Sequence, residues 1–398
     1  MVEVTNEHAV TKLAVNRVIG KLGGEKPGPT VVFFGGIHGN EPSGVQALQQ
    51  VISEIKAHKT PIRGTVYALA GNLGALSRGV RYVTSDLNRM WSKEKLEALK
   101  VKEYHDAEAK EQQALHQILE DIINTESGPF YFFDLHTTSS DTRPFITIND
   151  TRLNRKFALQ FPVPIILGIE EFIDGPLLSY INTLGYVAVG FEGGQHDNPQ
   201  SIENHIAFVR STLLILGSVL AETANLQQCQ NVLRASTGNE TSVYEIITRY
   251  EIALGEKFVM QDNFKNFQEL RKGVTLAYSE NEPIYAEASG RIFLPLYQPQ
   301  GQDGYFIIRR VHKFFLSAST FLRTIRMDSF LTLLPGIQWM NSSKNVLVVN
   351  QKIARFFAKD FLHLMGYRLK QTDAAHLRAR KRENHSANRA YRGEAWLK

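Results

Sequence analysis

Apolar residues recur along the first 226 or so positions in two alternating rhythms. Short runs rich in β-branched and aromatic residues read as strands at Val31–Phe34, Thr65–Ala70, Phe130–Leu135, Ile165–Leu167 and Val187–Phe191. Between them, Lys93–Asn124 and Ser201–Leu226 read as helices. In the second, Ile202, Ile206, Val209, Leu213, Leu216 and Leu220 fall on one helical face. Behind the run VVFFGG, Pro42 opens a further helical stretch, Ser43–Ile55, where a first-turn proline forfeits no hydrogen bond. Strands separated by helices predict an α/β fold, a mostly parallel sheet with helices on both faces.

From about Gln230 the texture changes. Val243–Tyr250, Lys257–Met260, Val274–Tyr278, Pro283–Ala286, Arg291–Leu294 and Tyr305–Arg309 are short, punctuated by Gly and Asn, and predict a smaller antiparallel β domain. Beyond residue 315, apolar helical pieces such as Lys352–Leu364 mix with a basic tail. The expected division is 1–229 for a catalytic domain, 230–315 for a β-rich domain and 316–398 for a C-terminal extension.

Composition narrows the class. A 398-residue chain with 43% hydrophobic residues can bury a large core. Cys229 is the only cysteine, so no internal disulfide forms and no thiolate cluster can bind metal; a reducing, cytoplasmic setting is expected. The N-terminus MVEVTNEHAVTKL lacks the basic start and apolar core of a secretory signal. No run of about 18 uncharged apolar residues occurs, so no membrane partner is expected. The net charge of +5 is concentrated in the segment from Arg378 to Lys398, read as a solvated tail, and nucleic acid is not an expected partner.

The candidate chemistry lies at strand ends. His38-Gly-Asn-Glu41 follows the first buried strand, and a His and a carboxylate three residues apart can close on one metal ion where the chain turns. His136, ending the strand PFYFFDLH, is the candidate third ligand, with Asp134 two residues earlier to orient it. Ligand sites of α/β sheets cluster at this edge. Arg81-Tyr-Val-Thr-Ser-Asp-Leu-Asn-Arg89 gathers two arginines, suited to carboxylates and developing oxyanions. Glu192, beside Gly193 and Gly194, is a general base or a helix-capping acid. His105 and His116, on a charged helix, read as surface residues.

Five motifs, GGIHGNEPSG, the GN at 71–72, RYVTSDLNRMW, DLHTTSS and GFEGGQ, occur in this order. Together they resemble the succinylglutamate desuccinylase/aspartoacylase family, zinc deacylases related to the metallocarboxypeptidases. The likeness is specific over roughly 30–200 and looser to about 315. It implies a zinc-carboxypeptidase-like mixed sheet, followed by the β domain and the C-terminal extension. It also implies one zinc ion held by His38, Glu41 and His136, with Arg81 polarising the substrate carbonyl and Glu192 as the catalytic carboxylate. Asn88 and Arg89 match the pair gripping the substrate carboxylate, and Asn72 and Tyr82 match positions lining the pocket. The chain departs from aspartoacylases at Tyr180–Gly190, which holds Asn182 and no arginine. The pocket tyrosine of the family's β domain has Tyr285 and Tyr297 as candidates.

The implied activity is zinc-dependent hydrolysis of the amide bond of an N-acyl amino acid or related small molecule, and a homo-oligomer remains open. The alternatives are a zinc carboxypeptidase acting on small peptides and a non-catalytic nucleic-acid-binding protein that uses the basic tail.

Overall fold

The computed structural model describes residues 15–99, 106–220, 225–325, 331–333, 335–340, 345–350, 358–371 and 376–397. The N-terminal segment through Leu13, His105, and positions 352–357 of the last predicted helix lie outside them.

Eight strands build the sheet that carries the site: β1 (Val18–Gly23), β2 (Lys26–Gly35), β3 (Arg63–Ala70), β4 (Phe130–Thr138), β5 (Phe145–Ile148), β6 (Ile165–Leu167), β7 (Val187–Gln195) and β8 (Val243–Glu251). They run in the order β1-β3-β2-β4-β7-β5-β6-β8, and the sheet continues through Asp303–Arg310, Gly290–Phe293 and Glu269–Leu270 to eleven strands. Its centre, β3-β2-β4-β7, is parallel, while β1 at one edge and β5 against β7 run antiparallel. A mixed, mainly parallel central sheet flanked by helices is therefore the observed fold class.

The apolar run in β2 is continuous because both faces of the sheet are covered. Val31 and Phe33 pack with the helices Ser43–Ala57 and Gln200–Ile215. Val32 and Phe34 point the other way, toward the helices Ala107–Thr125 and Leu177–Thr183. Alternation at period two thus feeds two separate cores.

The helix expected over Ser201–Leu226 is shorter than predicted. It ends at Ile215 with Gly217 in the left-handed region (φ 65°), a common way to stop a helix, and the next begins at Leu226. The predicted helix from Lys93 is described as Lys93–Leu99 and Ala107–Thr125.

The predicted short strands after Gln230 are present. Three of them, Phe258–Met260, Thr275–Ser279 and Glu282–Tyr285, form a separate small sheet. The extension forms a four-stranded antiparallel sheet of Ile337–Trp339, Val346–Asn350, His376–Lys381 and Tyr367–Gln371, with its own apolar core.

The basic tail is anchored at Arg382 and at two aromatic residues, while Arg378, Arg380, Arg389 and Arg392 are exposed as expected. Asp150 receives Arg155 at 2.6 Å, Arg323 at 2.7 Å and Arg382 at 2.9 Å. Arg382 also meets Glu170 at 3.0 Å and pairs with Glu171. Farther on, Tyr391 donates to the Phe130 carbonyl at 2.5 Å, and Trp396 Nε1 donates to the Tyr131 hydroxyl at 2.9 Å. Buried carboxylates and an aromatic socket hold side chains that a count of charge alone assigns to water.

Candidate active site

The turn after β2 is shaped by close approach. A Cβ on Gly39 would stand 2.1 Å from the Ala75 backbone, so only glycine lets these two segments touch. This turn brings His38 and Glu41 to the C-terminal end of β2, beside the end of β4. Asp134 and His136 share one face of β4 because they are two residues apart.

His38 Nδ1 lies 2.9 Å from Glu41 Oε1, and His136 Nδ1 lies 3.0 Å from Glu41 Oε2. One ligand atom from each of the three falls within 4.8 Å of the others, a cluster compatible with a metal site. Each imidazole turns its other nitrogen to a carboxylate: His38 Nε2 to Asp86 at 3.1 Å, and His136 Nε2 to Asp134 at 2.7 Å. That is how metal-ligating histidines are commonly oriented. Burial opposes ionisation of Glu41, but His38 and His136 outweigh it and hold its carboxyl well below the usual range. Burial likewise disfavours charge on His136, yet Asp134 and Glu41 lift it well above the ordinary imidazole range. An anionic cage around two imidazoles is a cation site by its donor set.

On the neighbouring strand β7, Glu192 stands beside its register partner His136. Its Oε2 is buried without a hydrogen-bond partner. Burial, reinforced by Glu41 and Asp134 against the pull of His136 and Arg81, pushes its pKa up to about 8.

Arg81 reaches Glu41 at 3.4 Å and Asp86 at 3.2 Å, and it lines the cavity with Asn88 and Arg89. Asn88 Oδ1 accepts from the Leu177 N–H at 3.0 Å, and Arg89 Nη2 meets Asp303 at 2.6 Å. The loop carrying these residues is pinned by Glu108, whose carboxylate accepts the backbone N–H groups of Val83, Thr84 and Ser85. Burial alone would raise the Glu108 pKa. Hydrogen bonds from Thr84, Asn72 and the loop backbone instead bring it down to about 2.

Seven of the nine sequence-predicted site residues, Glu192 among them, line one cavity of about 150 Å³; Asn72 and Tyr82 do not. Asn72 is buried behind the wall, where its Oδ1 caps the Ala75 N–H at 3.0 Å and its Nδ2 donates to Glu108. Tyr82 contributes its backbone to Gln300, donating at 3.4 Å and accepting at 3.1 Å. Tyr285 is exposed, and Tyr297 is bonded to Gln261 and Phe264, so neither β-domain tyrosine enters the cavity. The segment from Leu294 to Phe306 supplies Leu294, Leu296, Gln298, Asp303 and Phe306 instead. His116, read as a surface residue, is half-buried, with its Nε2 3.0 Å from the Tyr180 hydroxyl.

Residue patterns gave no warning of several participants. Asp86 lies within a motif whose arginines drew attention first. His205 supports His136 through its carbonyl at 3.1 Å, and Asp303 reaches the cavity from a strand more than 200 positions from Arg89. The aspartate of DLNR, two residues before the asparagine, was the one available signal for Asp86.

A mixed α/β sheet thus carries a buried His–Glu–His cluster, compatible with a metal site, at the C-terminal edge of its parallel strands. Residues 27–170 match the Succinylglutamate desuccinylase/Aspartoacylase catalytic domain. The chain is 31% identical over 121 residues to a succinylglutamate desuccinylase of Serratia proteamaculans, a match covering 30% of this chain and 35% of that one. It is 39% identical over 62 residues to one of Yersinia enterocolitica, covering 16% and 19%. The chain thus spans about a third or less of the length of these curated relatives. In fold it is similar to succinylglutamate desuccinylase/aspartoacylase from Rhodobacter sphaeroides, with a TM-score of 0.54, 17% identity, and coverage of 73% and 88%. It is also similar to the product-bound ectoine utilization protein EutE (DoeB) from Ruegeria pomeroyi, with a TM-score of 0.52, 18% identity, and coverage of 72% and 86%.

Proposed function

We propose that this protein is a zinc-dependent amidohydrolase that cleaves the amide bond of an N-acyl amino acid or a related small molecule. The observation carrying this reading is the convergence of His38, Glu41 and His136 beside Glu192, whose Oε2 is shielded from water without a hydrogen-bond partner. A zinc ion bound by those three residues would lower the pKa of water toward about 7 and act as a Lewis acid toward a carbonyl. His38 and His136 are held in their ligating orientation by Asp86 and Asp134.

Glu192 accepts a proton at Oε2 as water attacks the acyl carbon, then returns it to the departing nitrogen. A carboxyl near neutrality can exchange protons in both directions. Arg81 faces the developing oxyanion, a contribution worth about 3–4 kcal/mol for one donor in comparable sites. Asn88 and Arg89 orient the carboxylate end of the substrate.

A small cavity walled by β-domain residues suits a small molecule better than a peptide, which disfavours the carboxypeptidase alternative. The nucleic-acid alternative loses its footing where Arg382 is committed to Asp150, Glu170 and Glu171. No helix among the described residues is long and apolar enough to cross a membrane. A panel of N-acyl amino acids and dipeptides, assayed with zinc-loaded protein, tests the reading. Amine release from the acyl amino acids is expected, and cleavage of dipeptides alone would refute it.

A further inference from the structure

The cavity has two unlike walls. On one stands Arg89, the cation positioned for a substrate carboxylate. It is already engaged, with Nη2 2.6 Å from one oxygen of Asp303, while Arg249 Nε lies 2.6 Å from the other. Asp303 is only 14% exposed and itself lines the cavity. Arg89 keeps one unused buried donor, Nε, enough for a single carboxylate. Five carboxylates (Glu41, Asp86, Asp134, Glu192 and Asp303) lie in or against this site beside three arginines, Arg81, Arg89 and Arg249. A divalent cation would bring these charges close to balance, with no positive excess left for a second anionic group. The other wall is apolar, formed by Ile169, Ile173, Leu178, Leu294 and Phe306.

We propose that Asp303 is a specificity-determining residue that makes this pocket select N-acyl amino acids with an uncharged, apolar side chain and reject dicarboxylates. This deepens, and rests on, the amidohydrolase reading. A second substrate carboxylate meets Asp303 as a like charge and loses its water without a free cation to replace it. An apolar side chain instead covers the isoleucine and leucine wall, removing apolar surface from water on both partners.

The test is calorimetric binding of N-acetyl-L-leucine and N-acetyl-L-aspartate, two probes sharing one acyl group, to the full-length, zinc-loaded Glu192→Gln protein. The leucine derivative is expected to bind at least about 10-fold more tightly, the scale on which pocket contacts discriminate side chains. Adding Asp303→Asn should reduce that ratio by about 10-fold or more. Should that variant not fold, Leu178→Asn in the same background should weaken only the leucine derivative. Equal or tighter binding of the aspartate derivative overturns the proposal, as does failure of both probes to bind or a ratio indifferent to these substitutions. Turnover by the protein retaining Glu192 separates the two levels. Selective binding with no cleavage of either probe sinks the amidohydrolase reading alone, whereas cleavage that favours the aspartate derivative sinks the specificity inference alone.

Discussion

Asp150 is buried and Glu192 half-buried with its Oε2 shielded from water, and the surroundings of the two carboxyl groups are opposite. Asp150 is ringed by Arg155, Arg323 and Arg382, which outweigh the cost of burial and hold it below the ordinary carboxylate range. Glu192 has no cation bonded to it, stands among other carboxylates, and is pushed up to about 8. A carboxylate clamped by guanidinium groups cannot give or take a proton near neutrality, and its work is structural. One left unpartnered in a cavity is costly to keep and available for proton transfer. The difference separates an anchor from a reactive group within one sheet.

Substitutions at the two positions break this comparison in different observables. Glu192→Gln should lower kcat by about 10²–10⁴-fold, with folding and metal content retained; steady-state kinetics beside metal analysis checks it. Asp150→Ala should destabilise the protein by about 3–5 kcal/mol, because three buried guanidinium groups lose their shared partner. Denaturant unfolding should show that loss, with turnover per folded molecule nearly unchanged. Arg81→Gln sits between the two cases, since its guanidinium is paired yet faces the cavity. A fall of about 10²–10³-fold in kcat is expected if it meets the oxyanion, against a change confined to KM if it only binds substrate.

The smallest effect concerns Glu108, an anchor that acts on the site through the loop it holds. Its pKa is depressed from the ordinary 4.5 to about 2, so its contribution to stability is complete above pH 4.5 and disappears as pH falls toward 2. Glu108→Gln should therefore lower thermal stability at pH 7, with the gap to wild type closing as pH falls from about 4.5 toward 2. Melting curves across pH 2–7 for both proteins measure the difference.

Much of this architecture was legible in the sequence because local periodicity and strand-end chemistry agreed. The run Val31–Phe34 declared a strand buried on both faces; His38 and Glu41 occupy the turn after it and His136 the C-terminal end of β4, where such sheets place ligands. What the pattern could not convey was pairing between distant positions. Arg382 looked like solvated charge because its partners Asp150, Glu170 and Glu171 lie more than 200 residues away. Asn72 sits next to the site in the motif, yet its short side chain is used for capping a helix and bonding Glu108. Asp303 belongs to a strand whose register against β8 brings it beside Arg249, a placement that only the folded sheet specifies. Gly217, a single residue within an unbroken apolar stripe, ended a helix that the stripe alone would extend.

The most direct test of the central claim is the zinc content of the native protein and of its His136→Ala and Glu41→Gln variants, measured by mass spectrometry of the metal after exhaustive dialysis. The account predicts close to one zinc ion per wild-type chain and a large loss of metal from both folded variants. Native protein without bound metal, or variants that keep the full complement, would contradict it.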